Sequence, residues 1–229
     1  MLYFIYLFIC LIEVIKATIN INNEDYIINT LSKSTTKIIS LVINSEIDIT
    51  KEIKINNLIQ KLYINGNLEN SAKLNLKYPL YFESSIEEIK IQNLNINGNL
   101  FFSKNNKKIT IDNVILNGYI DSDFDKNSNN NIEISNFNYK PTGDSVENCI
   151  NLSGNVKINK SKFYGGSSCR NRLLYYNGFE KYKLDLKESN FNGEYECPFL
   201  SIKNGLNVTI ETSYFEKGYS SEYIDGGYI

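Results

Sequence analysis

A single phrase recurs along this chain and limits what it can fold into. It reads apolar–polar–apolar, then a few polar residues, then Ser-x-Phe and often Gly. Ile132-Glu133-Ile134 leads to Ser135-Asn136-Phe137, and Val156-Lys157-Ile158 to Ser161-Lys162-Phe163 and Gly165. Leu184-Asp185-Leu186 leads to Ser189-Asn190-Phe191 and Gly193, and Val208-Thr209-Ile210 to Ser213-Tyr214-Phe215. A drifted form stands earlier, where Ile89-Lys90-Ile91 and Ile109-Thr110-Ile111 are followed by Asn97-Gly98 and Asn117-Gly118. The anchors stand at positions 89, 109, 132, 156, 184 and 208. Spacings of this size belong to a solenoid whose repeat is one coil.

Alternation is visible from Ile38 onward, in Ile47-Asp48-Ile49, Ile53-Lys54-Ile55, Leu62-Tyr63-Ile64 and Leu74-Asn75-Leu76. Runs this short with period 2 predict short, half-buried strands. No window beyond the first residues carries a helical stripe. The expectation is therefore an all-β chain, a parallel β-helix (solenoid) of about seven to nine coils, roughly 35 to 45 Å long at about 4.8 Å per coil. Ile89, Ile109, Ile132, Val156, Leu184 and Val208 should stack in one internal row and the Ser-x-Phe aromatics in a second. Residues 18–37, polar and weakly patterned, are expected to cap the first coil, and residues 38–229 to form the solenoid.

The charge is nearly balanced, with 24 basic and 26 acidic residues, so nucleic acid and anionic membrane are disfavoured partners. There is no His, which removes the commonest general acid–base group. The 35 Asn residues have two readings, AT-rich codon usage or the tolerance of Asn for left-handed turn backbone.

Residues 2–12 are continuously apolar and too short to span a bilayer; residues 1–17, ending at Ala17, are expected to be a cleaved signal peptide. That predicts a secreted or cell-surface protein with no membrane span in the mature chain. Cys10 would leave with the signal, and Cys149, Cys169 and Cys197 would remain. Cys169 follows Phe163 by six residues and Cys197 follows Phe191 by six. Equal offsets predict equal places on adjacent coils, so Cys169–Cys197 is the preferred disulfide and Cys149–Cys169 the second choice; three free buried thiols remain the plain alternative.

The pattern resembles right-handed parallel β-helix proteins of the pectin-lyase-like superfamily. The closing segment, Ser213-Tyr214-Phe215 through Asp225-Gly226-Gly227-Tyr228-Ile229, is similar to the Ser-x-Phe…Gly-Gly-Ala-Ile repeat of polymorphic outer-membrane proteins and related adhesins, with Tyr228 in place of Ala. The resemblance implies a right-handed coil. The wider family holds polysaccharide lyases and hydrolases beside non-enzymatic surface proteins, so fold does not decide activity. The chain stops at Ile229 directly after the Gly-Gly turn, which predicts a C-terminally truncated solenoid.

Asp121, Asp123, Asp125 and Asn127 place oxygen side chains at alternate positions, like the start of a calcium loop. The pattern departs at Lys126, where such a loop has Gly, and at Ile132, where it has Glu; a solvated loop is the plain alternative, and no other cofactor is indicated. Arg170 and Arg172 are the only lyase-type basic candidates, and Asp112 and Glu133 the only carboxylates from neighbouring coils considered for hydrolysis, in different registers. Asn151, Asn159 and Asn207 open N-x-Ser/Thr sequences and are candidate glycosylation sites. Tyr175, Tyr176, Tyr182, Tyr195, Tyr214, Tyr219, Tyr223 and Tyr228 enrich the C-terminal part, as packing residues or as faces for sugars or a protein. These features favour a non-catalytic, adhesin-like surface or matrix protein binding carbohydrate or protein; the alternatives are a polysaccharide lyase or glycoside hydrolase, or its remnant, and a plain structural spacer.

Overall fold

The computed structural model describes residues 17–69 and 71–219. Residues 1–16 of the expected signal peptide, Cys10, Tyr223, Tyr228 and the Gly226-Gly227 turn lie outside the described residues. The chain winds as a parallel β-solenoid of about eight turns. Each regular turn contributes a strand to each of three faces. The first face runs β1 (Ala17–Ile21), β2 (Ile38–Ile43), β4 (Lys61–Gly66), β7 (Glu88–Asn97), β9 (Lys108–Asn117), β11 (Asn131–Ser135), β14 (Asn155–Asn159), β17 (Lys183–Lys187) and β20 (Asn207–Glu211), every neighbour parallel.

The anchor row is as the repeat predicts. Ile89 pairs with Ile109, Ile109 with Ile132, Ile132 with Val156, Val156 with Leu184 and Leu184 with Val208. Ile39 and Leu62 extend the row backward. All but Val208 are buried, so alternation puts β-branched and Leu side chains inside and Lys, Thr and Glu outside. In-register parallel stacking satisfies each backbone from the coils above and below.

The second face, β3 (Glu46–Ile49), β5 (Lys73–Leu76), the second halves of β7 and β9, β12 (Asn138–Lys140), β15 (Lys162–Tyr164), β18 (Asn190–Asn192) and β21 (Tyr214–Glu216), carries the aromatic row. Phe163 and Phe191 stack at 4.5 Å between ring centroids, and Phe191 and Phe215 at 5.0 Å. One expected member is displaced. Tyr139, not Phe137, opposes Phe163; Phe137, one residue before Asn138, therefore opposes Ser161, and its N–H donates to the Ser161 hydroxyl. The Ser-x-Phe phrase at 135–137 is thus two residues out of register with the coils that follow.

Between these two faces each coil from β7 onward turns on one residue with left-handed backbone: Asn93, Asn113, Asn136, Lys160, Glu188 and Thr212, with φ of 54°, 53°, 50°, 50°, 47° and 50°. Their column is continuous, and the Asn113 amide donates to Asn93 Oδ1 at 2.8 Å.

A helix was not expected from the pattern, yet α1 (Glu24–Lys33) closes the first turn. Asn23 caps it, accepting from Tyr26 N at 2.9 Å. Glu24 and Asp25 suit the positive end of the helix dipole and Lys33 the negative end. Ile27 and Leu31, four residues apart, bury one face; the stripe is only two residues deep and so escapes a window search.

The third face consists of β6 (Leu80–Phe82), β8 (Leu100–Phe102), β10 (Ile120–Ser122), β13 (Val146–Ser153), β16 (Cys169–Asn177) and β19 (Leu200–Lys203). Here the cysteine expectation is corrected: Cys149 and Cys169 form the disulfide, with Cα atoms 5.3 Å apart, and Cys197 is free and buried. The reason is register. Phe163 pairs with Phe191, and Leu174 pairs with Leu200; the second interval is the shorter by two positions. The turn between these faces absorbs the difference, so Cys169 opens β16 while Cys197 stays in the turn. A β-carbon added at Gly165 would lie 2.4 Å from Cys197 Sγ, so the glycine provides the space that the thiol occupies. The ladder between these strands is irregular at the same place, with Val146 opposite Cys169 and Asn148 opposite Arg172.

Candidate ligand-binding cleft

The outward residues of the third face form a row along the solenoid. Leu80, Phe82, Leu100 and Phe102 point inward and are buried, so Tyr81 and Phe101 between them must point out. Register places Tyr81 beside Phe101 and Phe101 beside Asp121. Asn151 follows, its amide donating to Asp121 Oδ1 at 3.1 Å, and Tyr175 follows Asn151. Tyr81 is 39% exposed, and its ring lies 5.1 Å from that of Phe101, tilted by 44°.

A cleft of about 370 Å³ covers this row, with Tyr81, Phe101, Asp121 and Asn151 on its floor and Asn99 and Glu147 on its sides. Val146, Glu147 and Asn148 at the start of β13 form one wall. The segment just before them is held by a hydrogen bond from the Tyr119 hydroxyl to the Asp144 carbonyl, by Ser168 Oγ donating to the Gly143 carbonyl at 3.2 Å, and by Arg170 Nε donating to Ser145 Oγ at 2.8 Å. The Cys149–Cys169 disulfide fastens the same strand to the next coil. Burial pushes the Tyr119 phenol above its usual range. The wall is thus built from fixed elements.

Sequence reading missed Tyr81 and Phe101. The signal was present: Leu80-Tyr81-Phe82 and Leu100-Phe101-Phe102 each put three apolar residues in a row inside an alternating strand, at matching places on successive coils. The middle residue of such a triplet faces outward.

The tyrosines singled out from the sequence divide. Tyr176 and Tyr182 are buried, whereas Tyr195 and Tyr214 are each 69% exposed and Tyr219 is 49% exposed. Tyr176, whose phenol burial pushes far above its usual range, hydrogen-bonds the Gly154 carbonyl at 3.0 Å and serves packing.

The calcium-loop residues do not converge. Among the described residues no group of three acidic, Cys or His side chains is arranged to hold a metal. Asp121 Oδ1 is engaged by Ser122 N and Asn151. Asp125 Oδ1 accepts from Asn127 N at 2.7 Å and Ser128 N at 2.9 Å, a turn that holds its carboxyl below the usual range. The alternating pattern belongs to strand β10 up to Ser122 and then to this Asx turn, so its oxygens face different ways.

Asp112 and Glu133 stay in different registers: Glu133 opposes Thr110, and Asp112 opposes Ser135. Asp112 accepts from Ser135 Oγ at 2.6 Å and Asn136 Nδ2 at 2.9 Å. The Ser135 bond foremost holds its carboxyl below the ordinary range; this is a corner brace. Arg172 Nη1 donates to the Asn171 carbonyl at 2.6 Å. Of the candidate glycosylation sites, Asn159 and Asn207 are exposed, while Asn151 sits in the cleft with its amide on Asp121. A glycan on Asn151 would fill the cleft.

Among the described residues no helix is long and apolar enough to cross a membrane. No known protein family, curated protein or solved structure matches this chain.

Proposed function

We propose that the protein is a non-catalytic carbohydrate-binding solenoid, exported and acting at the cell surface or in a matrix, in the manner of the adhesin-type, pectin-lyase-like repeat proteins that its sequence resembles. The observation that carries this reading is the Tyr81–Phe101–Asp121–Asn151–Tyr175 row. Aromatic faces take the apolar face of a pyranose, and a carboxylate and amides one rung away take its hydroxyls. The rung spacing of about 4.8 Å is close to the length of one sugar unit in an extended glycan, so a chain lying along the axis meets a new rung with each residue. The test is affinity electrophoresis and calorimetry of the secreted protein against a panel of soluble polysaccharides. Tyr81→Ala with Phe101→Ala should weaken binding about tenfold or more while circular dichroism stays that of the wild type. Absence of affinity for every glycan, or full affinity in the double variant, would remove the proposal.

A further inference from the structure

Resting on the carbohydrate reading, we infer that the sugar taken by this cleft carries a free amine, as in a glucosamine-type oligosaccharide, and that uronates are excluded. Two carboxylates line the cleft, Asp121 and Glu147, and among the described residues no Lys or Arg does. Asp121 uses one oxygen, Oδ1, to hold Ser122 N and Asn151. Its second oxygen and the exposed Glu147 carboxylate have no partner among the described residues, and neither side chain is in an ion pair there.

Some carboxylates of the other faces are paired. On the first face, Glu88 lies between Lys61 at 3.0 Å and Lys108 at 3.6 Å; on the second, Glu46 meets Lys73 at 2.8 Å. The outer surfaces of those faces neutralise these carboxylates within the ladder, and the cleft does not. Arg172 opposes Asn148 in the ladder, but its guanidinium is turned to the Asn171 carbonyl and does not line the cleft.

A sugar ring stacked on Phe101 projects its equatorial substituents past the ring edge toward the next rung, about 4.8 Å away, where Asp121 stands. An ammonium there gains a charge-assisted hydrogen bond. A uronate would bring its carboxylate against two unneutralised carboxylates, and an N-acetyl group would replace the cation with a neutral amide. Asn99, whose Oδ1 accepts from Tyr119 N at 3.0 Å, keeps its amide nitrogen for a ring hydroxyl.

The experiment is calorimetry of the intact protein with three oligomers of matched length: β-1,4-linked glucosamine, its fully N-acetylated form, and an oligogalacturonate. Each is titrated into the wild type and into the Asp121→Asn, Glu147→Gln double variant. The glucosamine oligomer should bind at least tenfold more tightly than the N-acetylated one. The double variant should remove that preference, and the uronate should not bind the wild type. If the N-acetylated form or the uronate binds as tightly as glucosamine, or if the double variant keeps the preference, the inference fails while carbohydrate binding stands. If no oligomer binds and the wider panel is also negative, both readings fall.

Discussion

From β7 onward the solenoid turns the corner between its first two faces in two different ways, and the change happens within one coil. In the coils of β7 and β9 the left-handed residue is Asn, the next residue is a buried Leu94 or Val114, and the strand runs unbroken through the corner for ten residues. In the coils of β14, β17 and β20 the left-handed residue is Lys160, Glu188 or Thr212, the next is Ser, and the strand is broken in two. There the serines form a ladder. Ser161 N donates to Ser189 Oγ at 3.1 Å, and Ser189 N to Ser213 Oγ at 3.2 Å. Each hydroxyl also donates back to the carbonyl two residues earlier, at 2.8 Å for Ser161 and Ser189 and 3.0 Å for Ser213.

The following core residue compensates in volume. Leu94 and Val114 precede Ile96 and Leu116, whereas Ser161, Ser189 and Ser213 precede Phe163, Phe191 and Phe215. The ring thus makes up part of the volume that Ser gives up at the corner, as close packing requires. Between the two regimes stands the coil with both Phe137 and Tyr139, where the Tyr139 hydroxyl finds the Gly118 carbonyl at 2.7 Å. The comparison teaches that one solenoid register accepts either an apolar corner with medium core residues or a polar corner with large ones.

The strongest way to break this comparison is to empty each regime at its core. Phe191→Ala removes a ring stacked on both sides and should cost about 3–5 kcal/mol, against about 2–4 kcal/mol for Leu116→Ala; denaturant melts of the two variants would show whether the aromatic stack is the more demanding packing. Equal losses would mean that the stack adds nothing beyond volume. Next in size is the ladder itself. Ser189→Ala leaves the buried Ser161 N–H without an acceptor, a cost of about 1–3 kcal/mol, whereas Val114→Ser in an apolar corner should also destabilise, because the polar corner works only with the larger partner behind it. A Val114→Ser, Leu116→Phe double variant that recovers stability relative to Val114→Ser would sharpen the comparison, and one that worsens it would break it. The smallest effect is at the left-handed residue. Thr212→Asn and Glu188→Asn should each raise stability by about 1 kcal/mol, because Asn tolerates this backbone better than either residue it replaces, and Asn113→Thr should lower it by a similar amount. Thermal melts that show no gain at Thr212 would indicate that the local backbone relaxes in solution.

Much of the architecture was written in the spacing of apolar pairs. The row from Ile89 to Val208 needed only period and alternation, because buried positions in a parallel stack must repeat. The second row was harder to read. The eye follows Ser-x-Phe, but register follows distance from the left-handed corner, and Phe137 stands one residue after that corner where Phe163 stands three after its own. The same cause misplaced the cysteines: counting from Phe163 and Phe191 assumes equal turns, and these turns differ by two residues. The cleft was hidden for another reason. Its residues come from the short strands of the third face, where only three residues alternate, so an outward aromatic looks like one more core residue. Helix α1 was legible in Asn23, its acidic first turn and the Ile27–Leu31 pair, which were weak singly and informative together.

The unequal turns also bear on how such a chain changes. Ile89 and Ile109 are neighbours in the row, and so are Val156 and Leu184, although the chain takes a longer way round between the second pair. The added length leaves the inner row undisturbed, since the closing of a slightly longer loop costs little. The molecule therefore behaves like ruled paper: the lines are fixed by the core, and whatever is written at the corners can lengthen, shorten or be replaced. The segment of residues 141–145, which leads into the wall of the cleft, is one such corner. Exchanging it for a segment of another length should shift that wall without altering the fold that presents it.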